Sequence, residues 1–211
     1  MKKHYIFDFD GVLADSMPVW AGIYVNLLAD NGLKIPHEMV KEITPLGNTG
    51  AARYCVEHGL NMSEDEILSY ALSNFKKAYS TTIKLKANVK SSLINIHRKG
   101  IHLHVLTASS HSYLDAFLKK EGIWDLFDNV WSTEDFSLNK SETEIYKQIA
   151  NKLQVNISAC TFFDDNIVAL STASAAGMVA VGVYDSSSEC FKEQIQKITS
   201  DYIYDFSQIT Y

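Results

Sequence analysis

Two carboxylates lie two residues apart in Asp8-Phe9-Asp10-Gly11, directly after the short apolar run His4-Tyr5-Ile6-Phe7. Alternation in a strand puts residues two apart on the same side, and Gly11 permits a sharp exit of the chain that leaves both acids uncovered. Acids so placed can divide labour, one as nucleophile or metal ligand and the other as a proton donor with a shifted pKa. The same tetrapeptide, taken alone, also reads as a polar strand terminus or turn. A second acidic pair, Asp164-Asp165, ends the run Thr161-Phe162-Phe163. Paired acids there suit a hard, oxygen-preferring cation such as Mg²⁺, the alternative being a simple Asp-Asn turn. Thr107 closes another apolar run and leads through Ala108-Ser109-Ser110 into a helix. A hydroxyl and the open N–H groups of a helix start can bind a phosphoryl oxygen, or a serine can merely cap the helix. Lys140, in a loop before the helix containing Tyr146, could neutralise a carboxylate and a transferring phosphoryl group, or be solvated surface.

Each of these positions falls at the end of an apolar segment or just before a helix. Strand-like runs occur at 4–11, 102–107, 159–165 and 178–183, with weaker ones at 127–132 and 202–204. Amphipathic helix-length stretches separate them at 89–99, 110–120, 141–153 and 167–176. Alternation of this kind predicts a mostly parallel sheet with helices on both faces, and ligands in such sheets bind at the carboxyl edge. Residues 16–79 hold no convincing strand. They read as helices over 18–30, 38–42, 51–58 and 63–79, the last opening on the capping-box sequence Ser63-Glu64-Asp65-Glu66. Gly32, Pro36, Pro45, Gly47, Gly50 and Gly59 punctuate them. An all-helical block inserted after the first strand is read as a separate lid, with 1–15 and 80–211 forming the α/β core.

The length, 211 residues, accommodates a core with a modest insertion, and 46% hydrophobic against 21% charged residues excludes a disordered or collagen-like chain. With 19 basic against 25 acidic residues and no basic cluster, nucleic acid is excluded as a main partner. No apolar run approaches a membrane span, and Met1-Lys2-Lys3 leads into a strand-like segment rather than a signal peptide. Cys55, Cys160 and Cys190 are far apart and odd in number, which suits a reducing compartment. The expectation is a soluble cytoplasmic protein, monomer or homodimer.

The order DxDG, strand-end Thr, pre-helical Lys and strand-end DD resembles the four motifs of the haloacid dehalogenase-like hydrolase superfamily. Asp8-Phe9-Asp10-Gly11-Val12-Leu13-Ala14-Asp15-Ser16 is similar to the DxDGxLxDS opening of its phosphatases with a small helical cap. Lys140 precedes Tyr146 by the spacing of that group's KPxPxxY pattern, although Ser141 and Thr143 replace its prolines. The later aspartate of the GDxxxD pattern falls at Ala169. The resemblance implies a Rossmann-like doubly wound parallel sheet with an inserted all-helical cap, and a Mg²⁺-dependent phosphomonoester hydrolase acting on a small phosphorylated metabolite. It makes Asp8 the nucleophile that forms an aspartyl-phosphate and Asp10 the acid/base. The Asp8 and Asp165 carboxylates and the Asp10 carbonyl surround the metal, with Asp164 in support or exchanging roles with Asp165. Thr107, the Ala108 amide and Lys140 hold the phosphoryl oxygens.

Dehalogenases and phosphonate hydrolases of the superfamily lack an acid at the position of Asp10, which leaves phosphatase or phosphosugar mutase. Mutases of the β-phosphoglucomutase type carry an arginine soon after the glycine of the cap's specificity loop. In Leu46-Gly47-Asn48-Thr49-Gly50-Ala51-Ala52-Arg53 a glycine takes the matching place. The reading is therefore a phosphatase similar to phosphoglycolate phosphatases, with a mutase as the alternative and a non-catalytic binding protein as a third. Gly47, Asn48, Arg53 and Trp20 are candidate specificity residues; Arg53 could instead be an ion-pair residue, and Trp20 with Tyr24 and Leu27 cap core. His102 and His104 share a strand face and could bind a metal or simply pack.

Overall fold

The computed structural model describes residues 3–210; Met1, Lys2 and Tyr211, which the sequence reading assigned to the core, lie outside the described residues, as does the side chain of Pro45. The chain divides into two compact units, one running to Asp15 and resuming at Lys84, the other Ser16–Ile83.

Strand β1 (His4–Phe7) is buried at every position, as a strand paired on both sides must be. The second unit follows. Helix α1 (Met17–Asp30) starts with Pro18 in its first turn and buries Trp20, Ala21, Ile23, Tyr24, Leu27 and Leu28, a stripe at helical spacing. Helices α2 (Met39–Ile43), α3 (Gly47–Glu57) and α4 (Glu64–Thr81) complete this unit, α1, α3 and α4 packing on one another. Ser63 and Glu66 form the expected capping box: the Glu66 amide donates to Ser63 Oγ (3.3 Å) and the Ser63 amide to Glu66 Oε2 (2.8 Å). From the sequence, Gly47 and Gly50 are expected to punctuate the chain before a helix at 51. Both lie inside α3 instead. A Cβ on Gly50 would sit 2.4 Å from Leu46 Cβ, so this glycine admits the tight entry from the preceding 3₁₀ turn into α3.

The first unit resumes with α5 (Val89–Arg98), β2 (His102–Thr107), α6 (His111–Glu121), β3 (Asn129–Ser132), α7 (Thr143–Leu153), β4 (Cys160–Asp164), α8 (Ile167–Ala176), β5 (Val179–Val183), α9 (Lys192–Ile198) and β6 (Asp201–Ile203). The six strands are all parallel, in the order β3-β2-β1-β4-β5-β6. This is the α/β architecture the alternation called for. Helix α9 had no sequence signal, since it is only seven residues long and buries Ile195 alone.

Both faces of the sheet are covered. On one, Ile6, Leu106 and Phe162 pack with Ile145, Tyr146 and Ile149 of α7 and Ala169 and Ala173 of α8. On the other, Phe7 stacks on Phe163 (4.6 Å between ring centres) and meets Phe206 (5.8 Å). Chain order runs outward from β1 through β2 to β3, then restarts at β4 on the other side of β1. The reversal opens a crevice between the carboxyl ends of β1 and β4, the place where open α/β sheets bind ligands.

Candidate active site

The two acidic pairs meet at that crevice. Strand β1 ends at Phe7, but the Asp8 amide still donates to Phe163 O (2.8 Å), so Asp8 is held in register beside the end of β4. Gly11 then turns the chain at φ +73°, and a Cβ on it would lie 2.9 Å from Asp165 Oδ2. Only glycine suits both that conformation and that closeness. Asp8, Asp164 and Asp165 are all buried, at 6%, 0% and 5% exposure. One carboxylate oxygen from each lies within 4.8 Å of the others.

Lys140 is the cation among them. Its Nζ is 2.8 Å from Asp8 Oδ2 and 2.8 Å from Asp164 Oδ2. The Tyr146 hydroxyl anchors its loop by donating to Lys140 O (2.7 Å), with Ala169 O at 3.1 Å. The lysine-to-tyrosine spacing thus has a structural cause: the first turns of α7 and α8 clamp the lysine from behind. Asp164 Oδ1 accepts from the Asn166 amide (2.7 Å), and Asn166 caps α8 through the Val168 and Ala169 amides. Both Asp164 oxygens are therefore engaged by protein donors. Among the described residues Asp8 Oδ1 is buried without a partner.

One ammonium thus faces three buried carboxylates. Burial pushes the Asp8 carboxyl up, to about 7, against the pull of Lys140 and with the help of the Asp164 charge. Burial, then Asp164 and Asp185, push Asp165 well above the ordinary carboxylate range. Burial works against the Lys140 charge, yet Asp164 and Asp8 outweigh it and hold the ammonium above its ordinary value. Excess buried negative charge, an orphaned carboxylate oxygen and an all-oxygen donor set fit a hard divalent cation such as Mg²⁺.

Thr107 is buried at the end of β2, and its Oγ1 accepts from the Ser109 amide (3.0 Å). Ala108 is exposed. Ser110 caps α6, accepting from the Ser112 amide (3.3 Å). The Ser109 hydroxyl donates a short hydrogen bond to Asp10 Oδ2. In the second unit Trp20 Nε1 donates to Asn48 Oδ1 (2.7 Å) and the Tyr24 hydroxyl donates to the same oxygen (3.0 Å), while Gly47 is exposed at φ +65°. Arg53, 61% exposed, pairs with Glu64 (3.2 Å). Of the two histidines, His104 is buried and hydrogen-bonded, and His102 meets Asp128 (2.7 Å). Among the described residues only Asp8, Asp164 and Asp165 form a group of three potential ligands close enough to share one ion.

Three residues of this region escaped the sequence reading. Lys86 Nζ donates to Gly11 O (2.7 Å), Tyr184 O (2.6 Å) and Asp185 Oδ2 (3.0 Å), tying the Gly11 turn to the end of β5. Asp185 follows an apolar run much as Asp8 does, which was a usable signal. Neither Lys86 nor Ser109 carries a local pattern that marks it.

A profile described as haloacid dehalogenase-like hydrolase matches residues 5–183. Hexitol phosphatase B of Escherichia coli (strain K12) is 24% identical over 84% of this chain and 82% of its own. A phosphoglycolate phosphatase of Psychrobacter arcticus is 26% identical over 86% and 83%. The crystal structure of CbbY (mutant D10N) from Rhodobacter sphaeroides, in complex with xylulose-(1,5)bisphosphate, shares the fold at a TM-score of 0.81 and 18% identity, over 99% of this chain and 96% of that one. A match spanning β1 to β5, and with them the strand ends of Asp8, Thr107 and Asp164-Asp165 and the loop of Lys140, means that the chain is an enzyme of the haloacid dehalogenase-like hydrolase family.

Proposed function

We propose that the protein is a Mg²⁺-dependent phosphomonoester hydrolase that transfers the phosphoryl group of a small phosphorylated metabolite first to Asp8 and then to water. The observation that carries this reading is Asp8 Oδ1: a buried carboxylate oxygen without a partner, in a carboxylate held by Lys140 through its other oxygen. A carboxylate so placed is a nucleophile aimed into the crevice. As Asp8 bonds to phosphorus, the bond to the leaving oxygen breaks and Asp10 supplies that oxygen with a proton. Asp10 then takes a proton from the water that displaces Asp8, which regenerates both groups. Lys140 holds the Asp8 carboxylate in place and, with the Thr107 hydroxyl and the Ala108 amide, binds the phosphoryl oxygens.

The residues proposed to hold Mg²⁺ are Asp8, Asp165 and the carbonyl of Asp10. Asp164, with both oxygens committed to Lys140 and Asn166, acts in support by orienting the lysine. When bound, the ion supplies positive charge against the phosphoryl oxygens. The inserted unit Ser16–Ile83 is proposed to be the cap that selects the substrate, with Asn48, Gly47 and Trp20 as its specificity residues. Arg53 is a weaker specificity candidate because Glu64 engages it. The phosphatase names of the curated relatives support hydrolysis over phosphosugar mutation. Three free cysteines, two of them buried, are consistent with residence in the cytoplasm; no described helix is long and apolar enough to cross a membrane.

The test is turnover of p-nitrophenyl phosphate and of a panel of phosphorylated polyols, sugars and hydroxy acids, with and without Mg²⁺. Asp8→Asn should abolish phosphate release while circular dichroism and melting stay those of a folded protein. Full activity in that variant would refute the mechanism, and turnover undiminished by chelator would refute the metal. Isomerised sugar phosphate in excess over free phosphate would favour a mutase.

A further inference from the structure

The Ser109 hydroxyl bridges two groups that have no sequence proximity. It donates to Asp10 Oδ2 and accepts from the Tyr113 hydroxyl (3.1 Å), while the Ser109 amide donates to Thr107 Oγ1 (3.0 Å). Ser109 and Tyr113 are each 6% exposed. Each hydroxyl has a single proton, so the direction of the chain is determined: Tyr113 gives to Ser109, and Ser109 gives to the carboxylate. The chain's footing is rigid. Tyr113 sits in the first turn of α6, whose start is capped by Ser110, and Ser109 joins that helix to the end of β2. Buried hydroxyl chains of this kind restrict the rotation of the carboxylate on which they end.

We propose that Ser109 and Tyr113 are positioning residues for Asp10: the two-hydroxyl chain orients its carboxylate toward the leaving oxygen, and the amide of the same serine fixes Thr107 beside the phosphoryl group. This rests on the phosphatase reading and deepens it, because it assigns to two unassigned side chains the alignment of the proton donor with the scissile bond. Ser109 acts through the Asp10 carboxylate and Tyr113 through Ser109. Their contribution is alignment, and misalignment of a general acid costs rate in proportion to how much the leaving group needs its proton.

That dependence separates positioning from simple packing. The experiment measures kcat/KM, which reports the first phosphoryl transfer, for 2,4-dinitrophenyl, p-nitrophenyl and phenyl phosphate in the wild type, Ser109→Ala and Tyr113→Phe. Dinitrophenolate leaves without help and phenolate does not. Ser109→Ala should therefore reduce kcat/KM for phenyl phosphate at least about tenfold more than for 2,4-dinitrophenyl phosphate. Tyr113→Phe should shift the ratio in the same direction by a smaller factor. Ser109→Thr, which keeps the hydroxyl, should restore the wild-type ratio. Melting curves check that each variant is folded. Equal loss on all three esters in Ser109→Ala, or an unchanged ratio, would overturn the proposal while leaving the phosphatase reading intact. No turnover of any ester by the wild type would instead overturn the phosphatase reading and this proposal with it.

Discussion

His104 makes the stability of this protein depend on pH in a way that can be worked out in advance. It is 1% exposed, in the middle of β2, with its ring nearly parallel to those of His4 and Trp131, each centred 5.3 Å away. Asn129 Nδ2 donates to its Nδ1 (3.0 Å), so Nδ1 must be an acceptor and the ring neutral; its Nε2 shares a hydrogen bond with His4 Nδ1 (3.0 Å). Burial, reinforced by His4 and opposed by Asp128, lowers its pKa from 6.5 to about 4. The folded protein therefore takes up this proton only near pH 4, whereas the unfolded chain takes it up near 6.5. Between those values the unfolded chain binds more protons, so stability falls as pH falls, and above 6.5 the group contributes no pH dependence. At 1.36 kcal/mol per unit of pKa the full loss is about 3 kcal/mol, of which about 2 kcal/mol should appear between pH 7 and pH 5. Urea denaturation of the wild type and His104→Gln at pH 7, 6 and 5 isolates the effect. Glutamine keeps an acceptor and a donor but cannot titrate, and the carboxylates common to both proteins cancel. The variant is expected to lose about 2 kcal/mol less than the wild type on acidification from pH 7 to 5. A gap between the two proteins that stays constant to within about 0.5 kcal/mol, or an imidazole resonance for His104 that titrates near 6.5 in the folded protein, would refute the reasoning.

Two further substitutions test the local arguments. Gly11→Ala forces a side chain into a left-handed turn and against the Asp165 carboxylate, 2.9 Å from the new Cβ. Asp165 must move, and phosphatase turnover should fall at least about tenfold, with the loss in kcat rather than in KM. Wild-type turnover would show that the tight approach is irrelevant to the chemistry. Ser63→Ala removes one half of the α4 capping box, and urea denaturation should report a loss of about 1 kcal/mol. Because the Ser63 side chain bonds Glu66 at the start of its own helix, kcat on p-nitrophenyl phosphate under native conditions should be unchanged, and a large loss of activity at full stability would contradict a purely structural role.

Local sequence features determined much of this protein. Apolar runs that stop in charge marked β1 and β4 and with them Asp8 and Asp164-Asp165, and a run that stops in small and hydroxyl residues marked β2 and Thr107. Side-chain period and caps marked most of the helices, because both are interactions within a few residues. Even the weak runs at 127–132 and 202–204 correspond to β3 and β6. The placement of Gly50 inside a helix was not legible, since its acceptability depends on contact with Leu46 rather than on glycine's own preference.

What only the tertiary structure decided is which charges and hydroxyls face one another. The sequence offered four carboxylates at strand ends and a lysine before a helix, and left open which acid would support and which would bind. The β1–β4 register sets Asp8 beside Asp164, and Lys140 bridges them, which occupies Asp164 and leaves Asp8 Oδ1 without a partner among the described residues. Ser109 meets Asp10 across 99 positions of chain, Lys86 meets Gly11 across 75, and His4 meets His104 across 100. No local pattern encodes such pairs. Their energies depend on burial and on distances of a few ångströms, both set by how β1 sits between β2 and β4, and a one-residue slip in that register would turn these side chains to the opposite face.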